Sequence, residues 1–111
     1  EGAKKAIVCK VRGDTGDNVT LLAVPSKVDF GGVTEAVKDC LRVWVVLDPD
    51  SFISPVNAPV DWTPSPIKLA HKIGKAARVV RLPFKVDDGF TQIGMSADEW
   101  KSTLKAARNI L

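Results

Sequence analysis

The chain has few of the residues from which disulfide frameworks and metal sites are built. Its 111 residues include two cysteines, Cys9 and Cys40, and a single histidine, His71. Two cysteines cannot form a network of disulfides, and a tetrahedral zinc site needs more Cys and His ligands than the chain supplies. We therefore expect two buried or inert thiols, no metal and no cofactor.

Long hydrophobic runs are also missing. No apolar stretch approaches the roughly 20 residues that cross a bilayer, and the first residues lack the apolar core of a signal peptide. The sequence thus predicts a soluble protein that is not exported and does not enter a membrane. Its 45% hydrophobic and 26% charged residues are ordinary for a single globular domain over residues 1–111.

Positive charge is concentrated in one segment. Residues 62–86 contain six Lys and Arg side chains and no Asp or Glu, whereas residues 13–61 contain three basic and eight acidic side chains. The net charge of +3 for the whole chain hides this difference. A local concentration of cations favours binding to a polyanion such as nucleic acid.

Apolar alternation predicts strands in the first half of the chain. Residues 6–12 alternate, turn residues fill 13–18 and residues 19–24 are β-prone, which together predict an N-terminal β-hairpin. Residues 33–41 fit either a helix or a strand. The apolar run 42–48 predicts a central strand, and five prolines make residues 49–66 a surface loop.

Two further strands and a hairpin are predicted in the second half. Residues 67–73 and 78–86 alternate between apolar and polar side chains, although a helix begun by Ser65 and Pro66 is an alternative for the first of them. Asp88 and Gly89 suit a type I′ turn, after which residues 90–95 would pair with the preceding strand. The predicted fold class is therefore α+β, with an antiparallel β-sheet.

A helix is predicted at the C-terminal end. Ser96, three residues before Glu99, makes a capping box. An apolar stripe follows, and its members are Trp100, Leu104, Ala107 and Leu111. The helix should pack on a sheet, either its own or that of a partner.

Binding is better supported than catalysis. On strands, Lys68 with Lys72 and Arg81 with Lys85 would share faces roughly 7 to 14 Å long, a spacing that can follow phosphates. The alternative is a basic face that only contacts solvent. Trp44 fits the core better than stacking on a base, although stacking stays open for both Trp44 and Trp62.

Patterns that mark an enzyme are weak. The chain has no glycine-rich phosphate loop and no Cys/His pair at a useful spacing. Asp48 and Asp50 flank Pro49 at the end of an apolar strand, where catalytic carboxylates sometimes lie, but a turn after the strand explains them better. The sequence predicts a binding protein and not an enzyme.

Several stretches resemble the coat proteins of small single-stranded RNA bacteriophages. Residues 15–20 (TGDNVT), continuing through 24–26 (VPS) to 32–33 (GV), look like the hairpin turn and second strand of those coats. Residues 80–84 (VRLPF) and 96–99 (SADE) look like their last strand and the start of their helix.

The resemblance implies a structural capsid protein of a virion, assembled in the cytoplasm of a bacterial host. By this likeness two subunits form a homodimer with a continuous antiparallel sheet, each C-terminal helix packs on the partner's sheet, and dimers build an icosahedral shell. The family also binds a hairpin in its own messenger and so represses replicase translation. Single-stranded viral RNA would contact the inner face of the sheet through Arg42, Lys68, Lys72, Arg81 and Lys85.

Two rival functions remain open. Residues 93–100 (IGMSADEW) resemble the end of single-stranded-DNA-binding coactivators of the PC4 type, which implies a single-stranded nucleic-acid-binding protein that does not assemble into a shell. A third hypothesis is an interaction domain or inhibitor that presents the loop at residues 49–66.

Overall fold

The computed structural model describes residues 3–13, Leu22 and residues 32–108. Helices dominate this part of the chain, and two short strands lie between them. In chain order the elements are α1 (Ala3–Gly13), α2 (Val33–Ala36), β1 (Val43–Val46), a 3₁₀ turn (Pro49–Phe52), α3 (Ser65–Ile73), β2 (Ala77–Val80), α4 (Val86–Asp88), a π-helical turn (Gly89–Ile93) and α5 (Ala97–Ala106).

The two strands are parallel, and α3 makes the crossover between them. Val43 lies opposite Ala77 and Val46 lies opposite Val80. Within the described residues the predicted antiparallel sheet is therefore wrong. Alternation identifies residues that suit a strand but does not encode the direction of the neighbouring strand. A tight turn joins antiparallel strands, whereas parallel strands need a crossover connection, which here is the helix α3.

Several predictions for the middle of the chain are confirmed. The apolar run 42–48 contains β1, and β-branched valines with Trp44 suit a half-buried strand. Residues 33–41 contain the short helix α2, so the helical alternative is the correct one. The proline-rich segment is a loop that starts with the 3₁₀ turn and ends where α3 begins.

Residues 67–73 belong to α3, so the alternative helix is correct and the predicted strand is wrong. Pro66 lies in the first turn, where its missing N–H costs nothing, and Gly74 ends the helix with a φ of 93°. Leu69 and Ala70 are buried, whereas Lys68 and Lys72 are exposed. A window of seven residues fits both the two-residue period of a strand and the 3.6-residue period of a helix. In the structure the apolar residues at helical spacing are the ones that pack against the sheet.

Residues 6–12 lie in α1, so the first predicted hairpin strand is also wrong. Of the three apolar residues expected on one buried face, Cys9 is buried while Ile7 and Val11 are mostly exposed. The helix packs against α4 and α5. The turn at 14–18 and, apart from Leu22, the second predicted strand at 19–24 lie outside the described residues.

Residues 86–93 are helical, so the predicted turn and returning strand are wrong. Asp88 and Gly89 have φ values of −64° and −55°, whereas a type I′ turn needs positive φ at both positions. Phe90, only 1% exposed, is buried in the core by this helical path. The strand predicted over 78–86 is accordingly shorter and ends with β2 at Val80.

The capping box predicted at Ser96 is confirmed. The Glu99 amide donates to Ser96 Oγ at 3.1 Å, and the Ser96 amide donates to Glu99 Oε1 at 3.3 Å. Trp100 and Leu104 on α5 are buried as predicted, while Leu111 lies outside the described residues. The helix packs on the sheet of its own chain, where the Trp44 indole of β1 donates to the main-chain oxygen of Leu104 at 2.9 Å.

Helices cover both faces of the sheet. Successive strand residues point to opposite faces of the sheet. Trp44 and Val45 on β1 therefore belong to two different apolar clusters, one on each face. One face packs against α1, α4 and α5, and its cluster includes Cys9, Val80, Leu82, Val86, Phe90, Trp100 and Leu104. The other face packs against α3, with Val45, Leu47 and Leu69 at its centre.

Candidate functional site

The carboxyl ends of β1 and β2 meet at one edge of the sheet because the strands are parallel. The segments that follow them enclose an open groove of about 510 Å³. Ligands of parallel sheets with crossover helices bind at this edge, because the loops that leave the strands lie there. The groove is lined by Pro49, Asp50, Ile53, Pro83, Phe84, Lys85, Asp88, Gln92 and Ile93, and we call it the carboxyl-edge groove.

The 3₁₀ turn supplies the wall of the groove that follows β1. The amide of Ser51 donates to the main-chain oxygen of Asp48 at 3.0 Å, and Ser51 Oγ donates to the same oxygen at 2.6 Å. Pro49 occupies the start of the turn, where no N–H is needed. These contacts fix the backbone on either side of Asp50, which lines the groove.

Asp48 lies beneath this wall as a buried carboxylate. Its side chain is 11% exposed, and Lys5 Nζ on α1 lies 3.7 Å from Asp48 Oδ2. A buried carboxylate is costly unless it is paired or hydrogen-bonded, and the ammonium group of Lys5 provides the opposite charge. The helix that replaces the predicted first strand thus contributes a cation to the carboxyl edge.

The second wall comes from the segments after β2. The Arg81 guanidinium carbon lies 4.7 Å from the centroid of the Phe52 ring, which ties the end of β2 to the 3₁₀ turn. Lys85 precedes α4 and is exposed. Asp88 Oδ1 accepts a 3.5 Å hydrogen bond from Gln92 Nε2 on the π-helical turn.

The structure separates the five cations that were predicted to bind RNA. Arg81 follows β2 and lies over the Phe52 ring, and Lys85 lines the carboxyl-edge groove. Lys68 and Lys72 lie one turn apart on the exposed surface of α3. Arg42 precedes β1 at the opposite edge of the sheet, with its guanidinium carbon 5.9 Å from the Trp44 ring centroid. The structure therefore does not bring the five residues together on one face of the sheet, since Lys68 and Lys72 lie on α3.

Sequence reasoning missed Asp50, Asp88 and Gln92 as members of one site. The Asp-Pro-Asp pattern after an apolar strand indicated that Asp50 could belong to a site. Parallel pairing strengthens this interpretation, because ligands of parallel sheets bind at the carboxyl ends of the strands. Asp88 was assigned to a hairpin turn, and no pattern in the sequence indicated Gln92. Trp44 is half-buried and packs against the apolar cluster beside α5, as the core interpretation predicted.

In residues 3–13 and 32–108, no three His, Cys, Asp or Glu side chains lie where they could share one metal ion. None of the described helices has both the length and the apolar composition that a bilayer crossing requires.

Comparison of the chain with protein-family models, with curated proteins and with solved structures finds no match in any of the three.

Proposed function

We propose that this chain is a nucleic-acid-binding domain that engages phosphates at the carboxyl edge of its parallel strands. The observation that carries the proposal is the parallel pairing of β1 and β2, which sets Lys85 in the carboxyl-edge groove and Arg81 beside it. Both cations belong to the acid-free segment whose charge favours a polyanion. Phosphate contacts of this kind supply affinity without base specificity.

The surroundings of the groove favour an extended anion over a small one. The first turn of α3 follows the loop from the carboxyl edge, and α3 contacts the 3₁₀ turn. Its N-terminal amides therefore add positive partial charge near the groove. Lys68, one turn further along α3, continues the exposed positive charge away from the edge. A strand of nucleic acid carries a row of phosphates and can therefore use charges spread over both the groove and the exposed surface of α3.

The proposal is tested by the binding of a fluorescent single-stranded oligonucleotide over a range of salt concentrations. Replacement of Lys85 by Ala should weaken binding and reduce the slope of log K against log salt by about 0.7, the value for one phosphate contact on a single strand. Lys38→Ala is the matched control, because Lys38 is exposed, is paired with Glu35 at 2.7 Å and precedes β1. Equal effects of the two substitutions would contradict a site at the groove.

A second candidate function is divalent-cation-dependent chemistry on phosphate esters at the same edge. The observation in its favour is the Asp-Pro-Asp turn at the end of β1, where Asp48 is held by Lys5 and Asp50 lines the groove. Carboxylates repel phosphate unless a cation stands between them. Magnesium commonly uses one or two carboxylates, with substrate phosphates and water completing its shell.

Asp50 separates the two functions experimentally. If the groove only binds phosphates, Asp50→Asn should strengthen oligonucleotide binding with or without Mg²⁺, because a repulsive charge is removed. If a cation bridges carboxylate and phosphate, the same variant should lose the part of the binding that Mg²⁺ adds, together with any cleavage of the oligonucleotide. A variant that behaves like the parent protein under both conditions would remove Asp50 from either mechanism.

The coat-protein assignment stays a prediction of the resemblance. The antiparallel sheet that it implied is replaced by the parallel pair, so its RNA-binding face no longer has a structural basis in the described residues. It still predicts uniform particles containing RNA when the purified protein is sized by gel filtration or electron microscopy. A monomer or dimer free of RNA would contradict a shell and leave the non-assembling binding domain.

A further inference from the structure

A second cleft lies between β1 and α5 and shares no residue with the carboxyl-edge groove. It measures about 440 Å³, a size within the range of small-molecule sites. Trp44 from β1 forms one side, and the exposed surface of α5 forms the other. The cleft is lined by Trp44, Asp98, Lys101, Ser102, Leu104 and Lys105, and we call it the Trp44 cleft.

The indole of Trp44 is held rigidly in this cleft. Its Nε1 donates a 2.9 Å hydrogen bond to the main-chain oxygen of Leu104, and the ring packs in part against the apolar cluster under α5. Two contacts therefore fix the ring while part of its surface stays accessible. A rigid aromatic ring presented on a strand stacks on a flat ligand at a low entropic cost.

The formal charge around the ring is positive overall. Lys101 and Lys105 lie one helical turn apart on α5, and both are exposed. Arg42 adds a third cation, because its guanidinium carbon lies 5.9 Å from the Trp44 ring centroid. The lining itself holds two cations, Lys101 and Lys105, and one acid, Asp98, while Arg42 lies over the Trp44 ring outside that lining. The complementary ligand is a flat ring that carries negative charge.

We propose that the Trp44 cleft binds a nucleoside phosphate, with the base stacked on Trp44 and the phosphate contacting Lys101 and Lys105. The ligand is either a free nucleotide or one nucleotide of a single strand, since both present the same base and phosphate. Loss of a stacking aromatic weakens binding of a base by roughly 5- to 150-fold. This site does not depend on the carboxyl-edge groove, because the two share no side chain.

The test is tryptophan fluorescence of the full chain during titration with adenosine monophosphate and, separately, with a single-stranded oligonucleotide. A Trp62→Phe background removes the other tryptophan that is not buried, since Trp100 is only 3% exposed. Saturable quenching by either ligand is expected. Quenching by the oligonucleotide alone identifies a nucleotide within a strand, and quenching by the monophosphate identifies a site that also accepts a free nucleotide.

A pair of double variants shows whether the charge acts at this cleft. Lys101→Glu with Lys105→Glu should weaken the quenching titration at least tenfold. Lys38→Glu with Lys72→Glu is the matched control, because it makes the same change of charge at two exposed positions that line neither proposed site. Circular dichroism checks that each variant keeps its helices. The Trp44 cleft would be overturned by equal weakening in both variants, or by the absence of quenching with both ligands.

The proposals for the two sites can be disproved independently of each other. Oligonucleotide binding that is lost in Lys85→Ala, measured by anisotropy, but never quenches Trp44 would leave the carboxyl-edge groove and remove the Trp44 cleft. Quenching that survives Lys85→Ala but not the α5 double variant would do the reverse.

Discussion

Lys5 on α1 and Asp48 at the end of β1 form an ion pair, with Lys5 Nζ and Asp48 Oδ2 3.7 Å apart. The two side chains are 20% and 11% exposed, so the pair is largely removed from water. It joins a helix at one end of the chain to the edge of the sheet where the carboxyl-edge groove lies. Removal of one charge should therefore affect both stability and the shape of that edge.

Replacement of Lys5 by Met should lower the free energy of unfolding by about 1 to 3 kcal/mol, because the poorly hydrated carboxyl group of Asp48 loses the ammonium group beside it. Urea unfolding followed by circular dichroism measures the change. Lys38→Met is the control, since the Lys38–Glu35 pair is shorter, at 2.7 Å, but exposed, and should contribute no more than about 0.5 kcal/mol. A larger loss in the control would show that distance, and not burial, governs these pairs.

Gly89 allows the π-helical turn to approach the ring of Phe84. A methyl group at this position would overlap the edge of that ring and lie 3.2 Å from Met95 Cε. Gly89→Ala should therefore destabilise the protein by about 1 to 3 kcal/mol, although its φ of −55° suits alanine. Gly32→Ala is the control, because nothing lies within 4 Å of the added methyl group, and it should be neutral or slightly stabilising. Equal melting temperatures for the two variants would contradict the close approach.

The capping box at the start of α5 should be measurable on its own. Ser96→Ala removes the oxygen that accepts from the Glu99 amide, and the expected loss is about 1 kcal/mol. Ser102→Ala, an exposed position within the same helix, should stabilise the helix slightly, because alanine has the higher helix propensity. If both substitutions stabilise α5 in thermal unfolding, the capping hydrogen bonds contribute nothing.

The two cysteines should differ in reactivity and in their effect at high pH. Burial raises the pKa of the Cys9 thiol to about 11, and the nearby Asp87 carboxylate adds to the rise, whereas Cys40 is exposed. The unfolded thiol ionises near pH 9 while the folded one stays protonated, so stability should fall by about 2 kcal/mol between pH 9 and 11. Urea unfolding across this range measures the fall, and Cys9→Ala should reduce it.

A thiol reagent provides an independent check on these assignments. Cys40 should react rapidly in the native protein, and Cys9 should react only after unfolding. Rapid reaction of both thiols under native conditions would contradict the burial of Cys9 in the core. Of the two thiols expected to be buried or inert, Cys9 is buried and Cys40 lies on the surface, so the reagent tests whether Cys40 is inert.

Short-range patterns predicted part of this fold correctly. The capping box at Ser96, the strand in the apolar run 42–48 and the proline-rich loop depend on residues within a few positions of one another. Alternation over seven residues failed at 6–12 and 67–73, because a window of that length fits a helical stripe as well as a strand. The packing of Cys9 and Leu69 into the core decides for helices in both segments.

The candidate site divides in the same way. The concentration of positive charge, which includes Arg81 and Lys85, can be read from the sequence because it depends on composition alone. The neighbours of these cations cannot be read from the sequence. Asp50 and Asp88 line one groove only because β2 lies parallel to β1. That pairing joins Val43 to Ala77 through a crossover helix. The sequence by itself determined which charged residues the chain contains. Contacts between distant segments, which no local pattern encodes, decided which of these residues lie at the carboxyl edge of the sheet.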